Sequence, residues 1–512
     1  MHAKLFSAIT HGVVAHSVAV EVDVSFGLVN FHIVGLPDTA IKESSKRVQA
    51  ALKNSGLPFP AKRVTVNLAP ADLKKVGTLF DLPIGIGILI AIDHLAVDAT
   101  FLQETLFIGE LSLDGSIKPV RGILAIASDA QSLGKKRLLV PQENAAEAAL
   151  IQGLEVFGFS HLTSLLAFLR AESIVQPIPW HQPNDDRSLD TSLDFSQVKG
   201  QQQVKRALQI AAAGKHNIVL VGSPGSGKTM LAKRLPTIMP SMTFPEILAT
   251  TKIYSITGKL HNEQLITTRP FRNPHHTISQ AGLIGGGSYP QPGEISLAHH
   301  GILFLDELTE FKRTTLEALR QPLEDGEVII ARANQTIRFP SSFLLVAALN
   351  PCPCGYFGDK KRACTCAPQQ IAHYIQKLSG PLLDRIDLQI NVTSIDYGAA
   401  KATVTSGQTS ADLYVAVNRA LETQKQRFGQ SGCFNSQMAT DAIDHYCVLT
   451  PAAEQLMQKA FDRLMLSMRG YHKILKVART IADLDDSVLI EVPHIQEATM
   501  YRSLDHFIDR QR

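Results

Sequence analysis

Gly222, Ser223, Pro224, Gly225, Ser226, Gly227, Lys228 and Thr229 follow an apolar run at 217–221 and precede a helix-forming stretch at 230–235. This spacing, between a strand and a helix, is that of a loop that cradles phosphates. The glycines let backbone N–H groups turn inward, Lys228 brings a point charge to the β- and γ-phosphates, and the Thr229 hydroxyl can ligate Mg2+. A second chemical element stands at Asp306 and Glu307, which end the apolar run 301–305. Such a run ending in two acids is common as a bare strand-to-loop transition. Beyond a phosphate loop it separates into a metal organiser, Asp306, and a general base for the attacking water, Glu307. Asn350 closes the apolar run 343–349 and can hydrogen-bond the γ-phosphate or that water; before Pro351, the other reading is a turn former. ATP and Mg2+ are the cofactors these residues call for.

Four of the six cysteines are concentrated at Cys352, Cys354, Cys364 and Cys366, with Lys360, Lys361 and Arg362 between the pairs. In a reducing compartment such a cluster favours a closed tetrahedral Zn2+ site over disulfides. The one-residue spacing is tighter than the usual two, so free buried thiols and redox chemistry stand as alternatives. Cys433 and Cys447 read as unconnected core residues.

The elements that must position these groups follow from composition and pattern. With 512 residues, 45% of them hydrophobic and 19% charged, the chain has ample material for about three domains. The net charge of +3 gives no global basic field, so contact with nucleic acid must rest on a local groove or ring of charge. The longest apolar stretch, 82–92, stops at Asp93, short of the roughly 18 residues a membrane span needs. The amino terminus lacks a cleavable signal pattern, and a cytoplasmic protein without a membrane partner is expected. Residues 1–175 alternate strand-like runs (18–24, 63–67, 137–140) with helical ones (39–53, 145–149). Pro177, Pro179 and Pro183 mark a linker at 176–192. Residues 193–395 alternate β and α around the phosphate loop, a polar stretch at 403–412 follows, and 400–512 read as helices only, one opened by Thr450 as N-cap with Pro451 at its first position.

The motifs at 194–195, 198–201, 222–229, 293–301, 306–307, 323–326 and 350–351 together resemble a AAA+ ATPase of the magnesium-chelatase-like, helix-2-insert branch, which also contains the MCM replicative helicases. The resemblance covers about 193 to the end. It implies that Arg385 is an arginine finger inserted into a neighbouring subunit's nucleotide, and that Arg469 is the sensor-2 arginine of the lid, with Arg479 as the alternative. A finger acting in trans implies a ring of identical subunits. The bland readings are a salt bridge from Arg385 to Asp384 or Asp387, and solvated helix charge for Arg469 or Arg479. Residues 327–340, two β-branched runs around a polar turn, read as a hairpin. In MCM relatives the matching hairpin projects into the central channel, which implies that Arg332 at the tip, with Arg338 lower down, contacts DNA phosphates; a merely solvated arginine is the alternative. The stretch 253–292, with Arg269, Arg272, His275 and His276, looks like the family's other pore insert.

Residues 81–85, 109–124 and 140–144 resemble the proteolytic domain of Lon over about 65 residues. Ile84 and Leu124 stand where Lon carries its serine and lysine, so an inactive peptidase is expected. In that order, a Lon-like α+β domain without its dyad, a AAA+ α/β core with helix-2 and pre-sensor-1 hairpin inserts, and a helical lid resemble the YifB/ComM family along the whole chain. The resemblance implies a hexameric ATP-driven helicase that acts on single-stranded and branched DNA and promotes branch migration during natural transformation. The competing functions are a metal-insertion subunit, an ATP-dependent protease, which Ile84 and Leu124 oppose, and a remodelling ATPase that does not act on DNA.

Overall fold

Val18, Val20, Val22 and Val24 are buried while Ala19, Glu21 and Asp23 between them are only partly so, the period-two pattern of a strand with one face on a core. The computed structural model describes residues 2–180, 192–260, 265–287, 289–332, 335–359, 361–393, 408–429 and 432–502. They fall into two units, Met1–Asp186 with Leu248–Ile266, and Arg187–Ile247 with Thr267–Arg512.

In the first unit, β1 (His2–His11), β2 (Val14–Ser25), β3 (Asn30–Val34), β4 (Arg63–Ala69) and β5 (Thr105–Phe107) are followed by a two-stranded ladder of β6 (Glu110–Leu111) and β7 (Ile117–Lys118), then by β8 (Arg137–Pro141) and β9 (Glu155–Phe159). Seven of them make one mixed sheet in the order β3-β4-β2-β1-β5-β8-β9. β1 runs antiparallel to β2, while β5, β8 and β9 are parallel. The helix expected at 39–53 is Thr39–Asn54, opened by Asp38, whose carboxylate accepts the Ile41 N–H at 2.8 Å. The apolar run at 82–92 forms the helix Asp81–Ala91, in which Ile90 alone is less than fully buried. Ile84 on this helix and Leu124 on the helix Ile123–Ala130 are both fully buried, so neither position offers a nucleophile or a base. The carboxylate at the head of the first helix, Asp81, is spent on Arg47: Nε donates to Oδ2 at 2.7 Å and Nη2 to Oδ1 at 3.0 Å. Burial pushes the Asp81 pKa up, against the pull of Arg47.

Leu248–Ile266 groups with this unit. Ser255 donates to Glu147 Oε1 at 2.5 Å, and the Leu124 N–H reaches the same oxygen at 3.2 Å. This segment lies within the 193–395 expected to hold the nucleotide site and overlaps the stretch 253–292 expected as a pore insert. Its polar partners in this unit include Glu147, reached by Ser255, and Asp129, which lies 3.8 Å from Lys252 Nζ.

In the second unit the strands are β10 (Ile218–Gly222), β11 (Phe271–Arg272), β12 (Gly285–Gly286), β13 (Gln291–Pro292), β14 (Ile302–Leu305), β15 (Glu327–Arg332), β16 (Gln335–Pro340), β17 (Leu344–Leu349) and β18 (Leu388–Val392). Five form an all-parallel sheet in the order β11-β14-β17-β10-β18. Every residue of β10, β14 and β17 is buried, as expected of parallel strands covered on both faces. Leu220, Phe304 and Val346 of the sheet share one hydrophobic cluster with Leu413, Val417, Ile474 and Ile481 of the helices Ser410–Phe428 and Met468–Leu484. The carboxy-terminal helices thus close the same core as the sheet. Thr450 caps Pro451–Arg463, and Ser467 caps Met468–Leu484. Residues 181–191 of the expected linker and 394–407 of the second boundary lie outside the described residues. No described helix is long and apolar enough to cross a membrane.

Arg47→Ala leaves Asp81 buried without its cation. The expected loss is about 3 kcal/mol in the first unit, read as a lower denaturation midpoint, with Asp81→Asn in the same background recovering part of it.

Candidate active site

β10 runs straight into the phosphate loop. Gly225 and Gly227 take φ of +78° and +91°, the left-handed region in which a side chain is strained, and Gly222 has Val392 O only 2.3 Å from where a Cβ would sit. The loop closes on the helix Lys228–Arg234. Lys228 is buried, and its Nζ donates to Gly222 O at 2.6 Å, Ser223 O at 3.1 Å and Asn350 Oδ1 at 3.1 Å. Burial pulls its pKa down, opposed by Asp306 and Glu307. Ser226 Oγ is buried with no hydrogen-bond partner among the described residues. A buried orphan hydroxyl, two left-handed glycines and a lysine folded onto its own loop carbonyls fit a phosphate chain as the absent partner.

The strand order brings the other expected groups to the same edge. β14 delivers Asp306, whose Oδ2 accepts the Thr229 hydroxyl at 2.7 Å; this is the pair expected to bracket Mg2+. Glu307 sits at φ 51°, a strained backbone for a residue with a Cβ, and its exposed carboxylate lies 3.4 Å from His276 Nδ1. β17 delivers Asn350. All three strands are parallel neighbours, so Lys228, Asp306, Glu307 and Asn350 meet at their carboxyl ends.

The arginines stand elsewhere. Arg385 precedes β18, and its carbonyl accepts Asn217 Nδ2 at 2.9 Å just ahead of β10. Asn217 Oδ1 in turn accepts the Leu345 N–H at 2.9 Å at the start of β17. Arg385 is thus fixed to the amino ends of strands whose carboxyl ends carry the phosphate loop, about 16 Å away at roughly 3.3 Å per residue. Its ion-pair partner is Glu324, not Asp384 or Asp387; Asp387 is taken by His216 and Lys473, each at 3.2 Å. Arg469 Nη2 binds the other oxygen of Glu324 at 2.8 Å, so one carboxylate clamps both arginines. Lys215, Lys473 and Lys476 line the same cavity of about 460 Å3. Arg385 Nε is buried without a partner among the described residues. Arg479 lies inside the lid, 2% exposed, bonded to Asp483 and to the carbonyls of Ser487 and Val488. Of the two candidate lid arginines, only Arg469 reaches this cavity.

β15 and β16 form the expected hairpin, Arg332 opposite Gln335. Arg332 is exposed and makes no ion pair among the described residues, whereas Arg338 is paired with Glu327 at 2.9 Å. The β12–β13 ladder lies alongside: a Cβ at Gly286 would sit 3.6 Å from Arg332 Nη2. Arg272, in the same stretch, is bound bidentately to Glu294 at 2.6 and 2.9 Å.

Cys352, Cys354, Cys364 and Cys366 converge, with all four Sγ atoms within 4.8 Å of one another and the closest pairs at 3.3, 3.5 and 3.6 Å. None is in a disulfide. A ZnS4 tetrahedron with bonds of about 2.3 Å has edges of about 3.8 Å, so the donor set fits such an ion. Backbone N–H groups of Tyr356 and Thr365 pull the Cys354 thiol down to about 5, while Cys364, beside Cys354 and Cys352, is pushed up to about 12 and Cys366 is pushed up as well, so the four sulfurs share charge that only a cation would neutralise. Cys447 is buried in the lid core.

Two participants lacked any signal in spacing. Glu324 belongs to a motif but carries no chemistry until the fold brings two arginines to it. Asp359, in the cysteine loop, accepts the Ser223 hydroxyl of the phosphate loop at 2.5 Å.

Three family models match the chain in succession: "Subunit ChlI of Mg-chelatase" over 20–144, "Magnesium chelatase, subunit ChlI" over 194–400, and the ChlI carboxy-terminal model over 407–502. The chain is 43% identical to the competence protein ComM of Haemophilus influenzae over 512 residues, covering 99% of each. It is 40% identical to the protein YifB of Escherichia coli over 497 residues, 97% of this chain and 96% of that one. A partial likeness, 29% over 153 residues, links 27% of this chain to 26% of Lon protease 2 of Bacillus subtilis. A relative this similar over the full length, with the phosphate loop, paired acids and arginines placed as described, makes the chain a member of the YifB/ComM family of magnesium-chelatase-like AAA+ ATPases.

Proposed function

We propose that this protein is a ring-forming ATPase that couples ATP hydrolysis to movement on branched DNA. One observation carries the reading. The phosphate loop and the arginine pair sit at opposite edges of one parallel sheet, so each chain holds two halves of an ATP site that can meet only across a boundary between chains.

In this site Lys228 and the loop N–H groups hold the β- and γ-phosphates, and Thr229 with Asp306 would hold Mg2+, which would supply charge neutralisation. Glu307 turns from His276 toward the attacking water and takes its proton, and Asn350 orients that water or the γ-phosphate once Lys228 releases it. A neighbour's Arg385 and Arg469 reach the transferring phosphoryl group, where a cation placed in trans is worth about three orders of magnitude or more in rate. Arg332, exposed at the hairpin tip, tracks the DNA backbone, and Arg338, tied to Glu327, contributes less. Cys352, Cys354, Cys364 and Cys366 hold a structural Zn2+. The relative named as a competence protein supports competence as the setting, which we read as recombination during natural transformation; an arginine acting in trans calls for a ring, which we read as a hexamer. The magnesium chelatase descriptions of the matching models favour metal insertion as the second reading.

Purified chain is incubated with ATP and a labelled three-strand or four-way junction. The wild type is expected to resolve it and Lys228→Ala is not. Arg332→Ala should keep basal ATPase activity and lose its stimulation by DNA. Strong ATPase activity indifferent to every DNA structure would sink the motor reading in favour of the metal-insertion or remodelling alternatives.

Arg385→Ala is expected to bind nucleotide with unchanged affinity while kcat falls about a thousandfold. A fall in affinity with kcat preserved would place the arginine in its own chain's site.

A further inference from the structure

Between Cys352 and Cys366 no helix or strand forms among the described residues, yet this loop touches the ATP site at several points. Asp359 Oδ2 accepts the Ser223 hydroxyl at 2.5 Å. Gly355, at φ +85°, lies so close to Pro224 that a Cβ would meet the ring at 2.6 Å. Asn350, two residues ahead of Cys352, accepts Lys228 Nζ at 3.1 Å. On the far side, Tyr374 Oη accepts the Thr309 hydroxyl at 2.5 Å, close behind the two catalytic acids.

Among the described residues the loop rests on a small apolar cluster, Cys352 with Ile371, Tyr374 and Ile375, against which Cys354, Phe357, Cys364 and Cys366 pack, and on Arg362, whose Nη1 donates to Tyr356 Oη at 3.0 Å. The backbone N–H groups of Phe357, Cys354 and Cys366 point at cysteine sulfurs at 3.4 Å, bonds that strengthen when the sulfur is a thiolate. Asp359 is aimed by two further bonds, from the Lys361 and Arg362 N–H groups at 2.7 and 3.2 Å. A loop without regular structure pays full conformational entropy to hold one carboxylate in place unless something cross-links it. The four sulfurs are that cross-link when they share one ion.

We propose that the cysteine loop, tied by its metal ion, is a brace for the phosphate loop. Asp359 and Gly355 fix Ser223 and Pro224, so metal occupancy sets the affinity for the triphosphate. The inference rests on the zinc reading above. It adds that Asp359 is a positioning residue and that the metal acts on nucleotide binding without touching nucleotide.

The test uses full-length chain, zinc counted by elemental analysis, and the dissociation constant of a fluorescent ATP analogue. Stripping with a chelator should weaken binding about tenfold, and restoring Zn2+ should recover it. Asp359→Ala should weaken binding by a similar factor while zinc stays at one equivalent. Asp359→Asn, which can still bond the Ser223 hydroxyl, should regain most of the affinity. Ser223→Ala added to Asp359→Ala should cost nothing further. Zinc removal and Asp359→Ala that each leave affinity within twofold overturn the brace, whatever the zinc content. Less than about half an equivalent of zinc in protein purified without chelator overturns the metal reading itself, by a measurement independent of nucleotide. The melting transition of each sample excludes unfolding as the cause of a lost affinity.

Discussion

Strand direction is the constraint on which the second unit depends. In a parallel sheet all carboxyl ends share one edge, so β10, β14 and β17 deliver the phosphate loop, the paired acids and Asn350 to one place without any further device. The same rule assigns whatever precedes those strands to the opposite edge. Asn217 shows how firmly: its side chain ties the Arg385 carbonyl to the start of β17. Neither edge can approach the other without breaking a fully buried core, so the separation of the two groups is as fixed as the length of the strands.

Glu324 has a particular place in this arrangement. A half-exposed carboxylate holding two guanidiniums gains little net stability, since solvent screens it. Its effect is geometric: two cations that would otherwise repel are kept side by side on one face of a cavity. A phosphate carries more charge and more acceptor oxygens than a carboxylate, so the clamp holds the arginines without competing strongly against such a ligand.

Much of this was legible in the sequence because it is local. Eight contiguous residues specify the phosphate loop, and two acids after an apolar run specify their strand. Two C-x-C pairs foretell a cluster, and Thr450 with Pro451 marks a helix start. What was not legible is what depends on distant partners. Asp359 has meaning only when Ser223, far upstream, is laid beside it, and Glu324 only when the lid brings Arg469 to Arg385. Arg469 and Arg479 look alike as helix charges, and the hydrogen bonds of Arg479 to Ser487 and Val488 separate them. Likewise, nothing in the spacing of Leu248–Ile266 signals that Ser255 meets Glu147 in the first unit.

The two-edged sheet also bears on heredity. Under the proposed ring, a chain defective in its phosphate loop still offers sound arginines to the next, and a chain defective in Arg385 still offers a sound loop. Two alleles, each without activity alone, would restore some complete sites when their products assemble together. Two alleles damaged on the same edge would not. Complementation between defective copies of a single gene would therefore sort its mutations by the edge of the sheet they occupy.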